Sequence, residues 1–239
     1  MNTTSIRFVI PAKNEALLLP RLLDSLEKQV TRHVWKVVVA DANSLDKTRE
    51  IATTHGATVV KGGMPGPGRN AGAKDATEEW LWFIDADGVF PSVDTIERAI
   101  DECQRQQADF ATCRLEGDEP SWLGTISHDL FAWYSAYTAA TFPRIPGTCF
   151  LVKRAWFVRV GGFNEKVVFA EDMDLAERLH KAGARFAYLA NIPFQTSLRR
   201  YTRDGYLRTG IRFLRAEWHM RIKGPITKEL FPYGFDHAR

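Results

Sequence analysis

The first part of the chain alternates short apolar runs with helix-length segments, and each apolar run ends in a polar cluster. Ile6 to Ile10 is closed by Pro11, and Leu19, Leu22, Leu23, Leu26 and Val30 then recur at helical spacing behind Asn14, a side chain suited to capping. Trp35 to Ala40 ends in Asp41, and the turn Ala42-Asn43-Ser44 leads to a helix over about Asp46 to His55 that Gly56 stops. Ala57 to Lys61 reads as a third strand, Gly62 to Gly68 as a loop, Arg69 to Thr77 as a small-residue helix and Trp80 to Ile84 as a fourth strand. Strands separated by helical crossovers predict a mostly parallel sheet with helices on both faces, an α/β fold. Ligands of such sheets bind beyond the carboxyl ends of the strands.

The remainder reads as a helix over Thr95 to Gln107, a strand over Phe110 to Leu115, and an aromatic, mostly helical stretch from Trp122 to Phe142. A strand over Thr148 to Val152, a helix over Glu171 to Ala182 and a last strand over Phe186 to Ala190 follow. At 239 residues, 45% hydrophobic and 26% charged, the chain fits one α/β domain rather than a disordered or fibrous protein. The domain is placed at 1–195, with halves at about 1–90 and 91–195, and 196–239 forms a helical extension. The longest uncharged stretch, Leu130 to Pro143, is too short for the roughly 20 residues of a spanning helix. The start Met1-Asn2-Thr3-Thr4 lacks a basic, signal-like region, so a protein of the cytoplasm, or of the inner face of the membrane, is expected. Cys103, Cys113 and Cys149 are widely spaced and read as reduced core thiols, and the histidines form no zinc-type motif.

The basic character is local. Between Leu198 and Lys223 eight Lys/Arg face two Asp/Glu, a balance of +6 in a chain whose net charge is +3, which leaves −3 elsewhere. Leu207, Ile211, Leu214, Trp218 and Ile222 form an apolar helical stripe there, with Arg208, Arg212, Arg215 and Arg221 off it. Docking of this helix on the domain is slightly favoured over contact with a membrane surface through 198–223, to which Phe131, Trp133, Tyr134 and Tyr137 could add.

The strand ends bring Pro11-Ala12-Lys13-Asn14-Glu15, Asp41-Ala42-Asn43-Ser44, Gly68-Arg69-Asn70 and Asp85-Ala86-Asp87 to one rim. Asp85 follows five apolar residues, and in extended geometry Asp85 and Asp87 project to one face, a suitable pair for Mg²⁺ or Mn²⁺. Asp41 ends a buried strand, where it accepts either from a nucleotide base or from its own turn. Glu15 also suits a helix N-terminus, and Arg69 a surface position. Glu171-Asp172, after the turn Gly161-Gly162-Phe163, fits either a general base for an incoming hydroxyl or simple helix-dipole compensation, while Asp174 and Glu177 read as surface residues.

Taken in this order, Asn14-Glu15, Asp41-Ala42-Asn43-Ser44-x-Asp46-x-Thr48, Gly68-Arg69-Asn70-x-Gly72, Asp85-x-Asp87 and Gly161-Gly162-Phe163 leading to Glu171-Asp172 resemble family 2 glycosyltransferases. The resemblance runs from about Ile6 to Ala190 and implies a GT-A-like fold and inverting transfer of a sugar from a nucleoside diphosphate, a UDP-sugar being favoured, to a hydroxyl acceptor. It implies that Pro11, Ala12, Glu15, Asp41, Arg69 and Asp85 bind the donor, that Asp85 and Asp87 hold Mn²⁺ or Mg²⁺, and that Asp172 is the base. Gly162, Phe163, Glu171, Arg199 and Arg200 fall on the acceptor side, with a lipid-linked or cell-envelope glycan as the acceptor envisaged. The family's second Asp is Ala42 here, and the absence of Gln-x-x-Arg-Trp argues against a processive synthase. No nucleic-acid partner is implied. A sugar-phosphate nucleotidylyltransferase, which would want a Gly-rich loop after the first strand, and a noncatalytic sugar-nucleotide or membrane-surface binding module are the alternatives.

Overall fold

The computed structural model describes residues 3–118, 122–138, 141, 143–199, 203 and 205–228. The first half runs β1 (Ser5–Ala12), α1 (Leu19–Glu27), β2 (Val34–Asp41), α2 (Thr48–Thr54), β3 (Thr58–Lys61), α3 (Pro65–Ala73) and β4 (Trp80–Ile84). There follow β5 (Gly88–Val89), α4 (Thr95–Arg105), β6 (Phe110–Gly117), α5 (Trp122–Thr138), β7 (Cys149–Lys153), α6 (Arg154–Arg159), α7 (Glu171–Lys181), β8 (Phe186–Thr196) and α8 (Tyr206–Lys223). One eight-stranded sheet has the order β3-β2-β1-β4-β7-β6-β8-β5.

The expected α/β fold is present, with β3, β2, β1 and β4 all parallel. Beyond them β7 runs antiparallel to both β4 and β6, whereas β6 and β8 are parallel and β5 caps the edge antiparallel to β8. This reversal has a consequence for the site. Because β7 points the other way, its amino end lies at the rim where β1, β2 and β4 end, and Asp85 N donates to Thr148 O at 2.9 Å across that junction.

Alternation along β4 explains why its whole run is apolar. Trp80, Trp82 and Ile84 enter the core on one face with Phe8, Ile10, Leu19, Leu22 and Ile96, while Leu81 and Phe83 enter the other with Phe150, Phe157, Phe163 and Leu175. Phe83 stacks on Phe150 at 4.9 Å between ring centroids and meets Phe163 edge-on at 5.3 Å. Burying each such ring contributes about 1.5–3 kcal/mol, so the strand is held from both sides. All three cysteines are free and buried.

Four local expectations are corrected. Helix α1 starts at Leu19 rather than behind a cap at Asn14, whose backbone is left-handed at φ 55° and whose side chain instead accepts from Leu45 N at 2.9 Å. Helix α3 starts at Pro65, inside the segment read as a loop. Proline in the first turn forfeits no helical hydrogen bond, and in the last turn glycine is needed at position 72, where a Cβ would overlap Val9 of β1. Strand β8 extends to Thr196, well past Ala190, and the short α6 is an element the sequence pattern does not announce.

Helix α8 docks on the domain as favoured, but not through its apolar stripe. It packs inward through Thr209, Ala216 and Met220, with Ala216 and Met220 against Met173 and Ile226, while the stripe from Leu207 to Ile222 stays exposed. Among the described residues no helix is long and apolar enough to cross a membrane.

Candidate active site

The β1–α1 and β2–α2 turns are stitched together. Ser44 Oγ accepts from Asn14 N at 2.9 Å, Thr48 Oγ1 accepts from Glu15 N at 2.8 Å, and Asp46 Oδ2 accepts from Ala16 N at 3.0 Å. Asp41, 4% exposed, accepts from Ser44 N at 3.1 Å and has Arg49 3.8 Å away. The Asp41-to-Thr48 motif thus shapes the rim next to Pro11 and Ala12, and Ala12 O accepts from Ala42 N at 2.8 Å.

Glu15 is buried, and its side chain does not cap α1. Arg199 Nη2 donates to Glu15 Oε2 at 3.1 Å and lies 3.5 Å from Asp87 Oδ2. Burial, then the charges of Asp87 and Asp85, push the Glu15 carboxyl up to about 7 against the pull of Arg199. Arg199 is at this rim because β8 runs parallel to β6 and releases the chain at the same edge. Arg200 lies outside the described residues.

Asp85 and Asp87 occupy a turn, closed by Gly88 N donating to Asp85 O at 3.2 Å, rather than the extended geometry expected. Their carboxylates meet different arginines: Asp85 Oδ1 accepts from Arg69 at 3.0 Å, and Asp87 faces Arg199. Both keep part of their surface open, at 28% and 23% side-chain exposure.

Arg69 is 3% exposed and not a surface charge. Nη1 donates to Glu171 Oε1 at 2.6 Å, and Nη2 donates both to Asp85 and to Gly147 O at 2.9 Å. Burial opposes its charge, but the carboxylates of Asp85, Glu171 and Asp172 outweigh that and hold it protonated. The Phe163 ring lies beneath it, 5.6 Å from Cζ, and is itself in the core at 2% exposure. Gly162, read with Phe163 as acceptor-side, has φ 68°, and a Cβ there would sit 2.7 Å from Asn70 Oδ1. Asn70 pins this turn by accepting from Phe163 N and donating to Phe163 O, each at 2.9 Å.

Asp172 lies beside this arginine at the start of α7. Its Oδ2 accepts from Gly147 N at 2.5 Å and its Oδ1 from Met173 N at 2.8 Å. Burial and the Glu171 charge push its carboxyl up to about 7, against Arg69 and the two amide donors. A carboxyl poised near neutrality suits proton abstraction from a hydroxyl. Asp174, expected at the surface, is 4% exposed instead. It accepts from Arg178 Nε at 2.8 Å, and Arg178 Nη1 donates to Val160 O and Gly162 O. Gly147, Asn70 and Arg178 are the site-shaping residues to which sequence reasoning gave no role. Asn70 stood inside a quoted motif, but only the reversed β7 brings Gly147 here.

A second group, His33, Glu97 and Asp101, has potential ligand atoms within 4.8 Å of one another. It lies at the amino end of β2, opposite Asp41, and Arg32 pairs with both carboxylates.

An α/β sheet with acidic strand ends and a carboxylate-lined rim defines a GT-A-like fold, and solved structures agree. A mannosyltransferase from Pyrobaculum calidifontis in complex with GDP-Man and Mn²⁺ superposes with TM-score 0.69 at 23% identity, over 94% of this chain and 72% of that one. Residues 1–349 of S. aureus TarS in complex with UDP-GlcNAc give 0.65 at 20% identity, over 82% and 59%. The glycosyl transferase family 2 model matches residues 8–164, and the chain belongs to that family. Membership sets aside the nucleotidylyltransferase alternative. The succinoglycan biosynthesis protein ExoA of Rhizobium meliloti (strain 1021) is 28% identical over 77% of this chain and 61% of its own length. The chain thus spans about three-fifths of that relative. A 4,4'-diaponeurosporenoate glycosyltransferase of Staphylococcus haemolyticus (strain JCSC1435) is 35% identical over 44% of this chain and 30% of that protein.

Proposed function

We propose that this chain is an inverting, metal-dependent glycosyltransferase that moves a sugar from a nucleoside diphosphate, UDP being favoured, to a hydroxyl on a lipid-linked or cell-envelope acceptor. One observation carries the reading: Arg69 joins the Asp85 turn, the Gly147 loop and the start of α7, so a donor-side acid and the Asp172 carboxyl share one buried hub.

Pro11, Ala12 and Asp41 form the nucleotide side, with Ser44 and Thr48 fixing its two turns. The oxygen-only set Asp85 and Asp87, both part-exposed and close enough to raise Glu15, fits a hard divalent cation, and those two residues would hold it. When bound, such a cation supplies Lewis-acid neutralisation of a leaving diphosphate. Asp172 accepts the acceptor proton as its oxygen attacks the anomeric carbon opposite the departing diphosphate. Arg69 bridges Glu171 and Asp85. Arg199, reaching Glu15 and Asp87 from beyond β8, lies where a diphosphate charge would develop. An acceptor carried by a lipid agrees with the diaponeurosporenoate enzyme and with an N-acetylglucosaminyl-diphospho-decaprenol L-rhamnosyltransferase, 46% identical over 19% of this chain.

The test is a panel of nucleoside-diphosphate sugars with Mn²⁺ and polyprenyl-phosphate or glycan acceptors. Release of nucleoside diphosphate with inversion at the anomeric centre is expected for one donor. No turnover and no donor binding across the panel would overturn the reading.

A further inference from the structure

Helix α5 carries the same pattern as α8. Trp122, Ile126, Leu130, Trp133 and Tyr137 recur at spacings of four and three, so they share one helical face, and each is exposed. The opposite face holds the buried Gly124, Ser135 and Thr138. Trp133 and Tyr137 stack on the outer face with ring centroids 5.5 Å apart, 10° from parallel. On α8 the outer stripe is Leu207, Ile211, Leu214, Trp218 and Ile222, at 47% exposure or more.

The two helices meet along their flanks. Tyr134 Oη donates to Glu217 Oε1 at 2.8 Å, and Arg221 Nη2 donates to Tyr134 Oη at 2.8 Å. Each helix buries the side opposite its stripe, so the stripes adjoin on an outward surface rich in tryptophan. Arg208, Arg215 and Lys223 are exposed on α8, and the one acid of the helix, Glu217, pairs with Arg144 and Arg221. On α5 the lone acid, Asp129, pairs with Arg114. A second copy docked face to face would set these cations against cations. An anionic surface complements them, and tryptophan and tyrosine suit the headgroup level of a bilayer.

We propose that the joined outer face of α5 and α8 seats the protein on an anionic lipid bilayer. This rests on, and deepens, the lipid-linked acceptor proposed above: the inner face of α8 packs Met220 and Ala216 on Met173, the neighbour of Asp172, so the bilayer-facing stripe lies one helix thickness, roughly 10 Å, from the Asp172 side of the site.

The experiment is co-sedimentation of the full chain with vesicles of phosphatidylglycerol and phosphatidylcholine, against phosphatidylcholine alone, at low and high salt. Salt-sensitive binding to the anionic vesicles is expected. Arg208→Glu with Arg215→Glu should lower the partition coefficient about tenfold or more, and Trp133→Ser with Trp218→Ser should lower it similarly at unchanged charge. Unaltered circular dichroism and donor hydrolysis in these variants would exclude misfolding. Failure of the intact chain to bind anionic vesicles at low salt would overturn the proposal, as would binding insensitive to both pairs, or a concentration-dependent dimer that the tryptophan pair abolishes. Vesicle binding without transfer to any acceptor would instead count against the proposed function and leave this surface standing.

Discussion

The backbone N–H of Gly147 donates to Asp172 Oδ2 at 2.5 Å. This contact exists because β7 is antiparallel to β4, which turns the loop before β7 back over the rim where the parallel strands end. The same glycine's carbonyl accepts from Arg69, so one residue spaces the arginine from the carboxyl that would take the proton.

Asp172 should titrate in the rate. With its carboxyl raised to about 7, the ionised base accumulates as pH rises, so kcat/KM should climb through neutrality before other groups limit it. Asp172→Asn should lower transfer by about 10²–10⁴ and leave donor affinity nearly unchanged. A pH-rate profile with isothermal titration of the donor checks both; an equal loss in donor affinity would assign Asp172 to structure.

The same shift has a sign for stability. A folded-state carboxyl raised above its unfolded value binds more protons in the native state between about 4 and 7, so stability falls as pH rises through that window. Glu15 acts in the same direction. Melting temperature should therefore decline from pH 5 to pH 8, and less steeply in Asp172→Asn. A rising melting temperature across that range would contradict the burial assigned to both groups.

Removal of the cation should abolish transfer. Excess EDTA is expected to stop turnover and Mn²⁺ or Mg²⁺ to restore it. Asp87→Asn is the cleaner probe, since Asp85 also holds Arg69 and its loss disturbs the hub. Full turnover in EDTA would remove the cation from the proposed chemistry.

Asp174→Asn reads as silent from sequence, yet the structure gives it a cost. It would loosen Arg178, which clamps the carbonyls of Val160 and Gly162, and a charged hydrogen bond of this kind is worth about 1.5–3 kcal/mol. Urea denaturation should show a loss of that order.

Much of this was legible beforehand, for identifiable reasons. Trp80 to Ile84 is an unbroken apolar run, which only a strand covered on both faces explains, and it aims Asp85 at the rim. The start of α3 was hidden because Pro65, Gly66, Pro67 and Gly68 are poor helix formers; the position that packing restricts to glycine lies further along the helix, at Gly72, where a Cβ would come within 2.4 Å of Val9 Cγ1. Asp174 was hidden because a charge at a helix start looks alike in solvent or against Arg178. For α8 the helical period was plain but its inward face was not, since Thr209, Ala216 and Met220 are less apolar than the stripe they leave outside.

Glu217 offers the last test, because it fastens α8 to the loop that supports Asp172. Its two carboxylate oxygens accept from Arg144 Nε at 2.7 Å and Nη2 at 2.8 Å, and Arg144 is fully buried. Removing one partner of a buried ion pair costs about 3–5 kcal/mol, because the remaining charge keeps its desolvation penalty. Arg144 stands three residues before Gly147, so the loss should reach the site as well as the helix. Glu217→Ala is therefore expected to lower stability by about that amount and to depress kcat, whereas Glu217→Asp should recover part of both. Hydrogen exchange should rise in α8 and in 144–148 together. Exchange confined to α8 would mean that the helix is fastened without touching the loop.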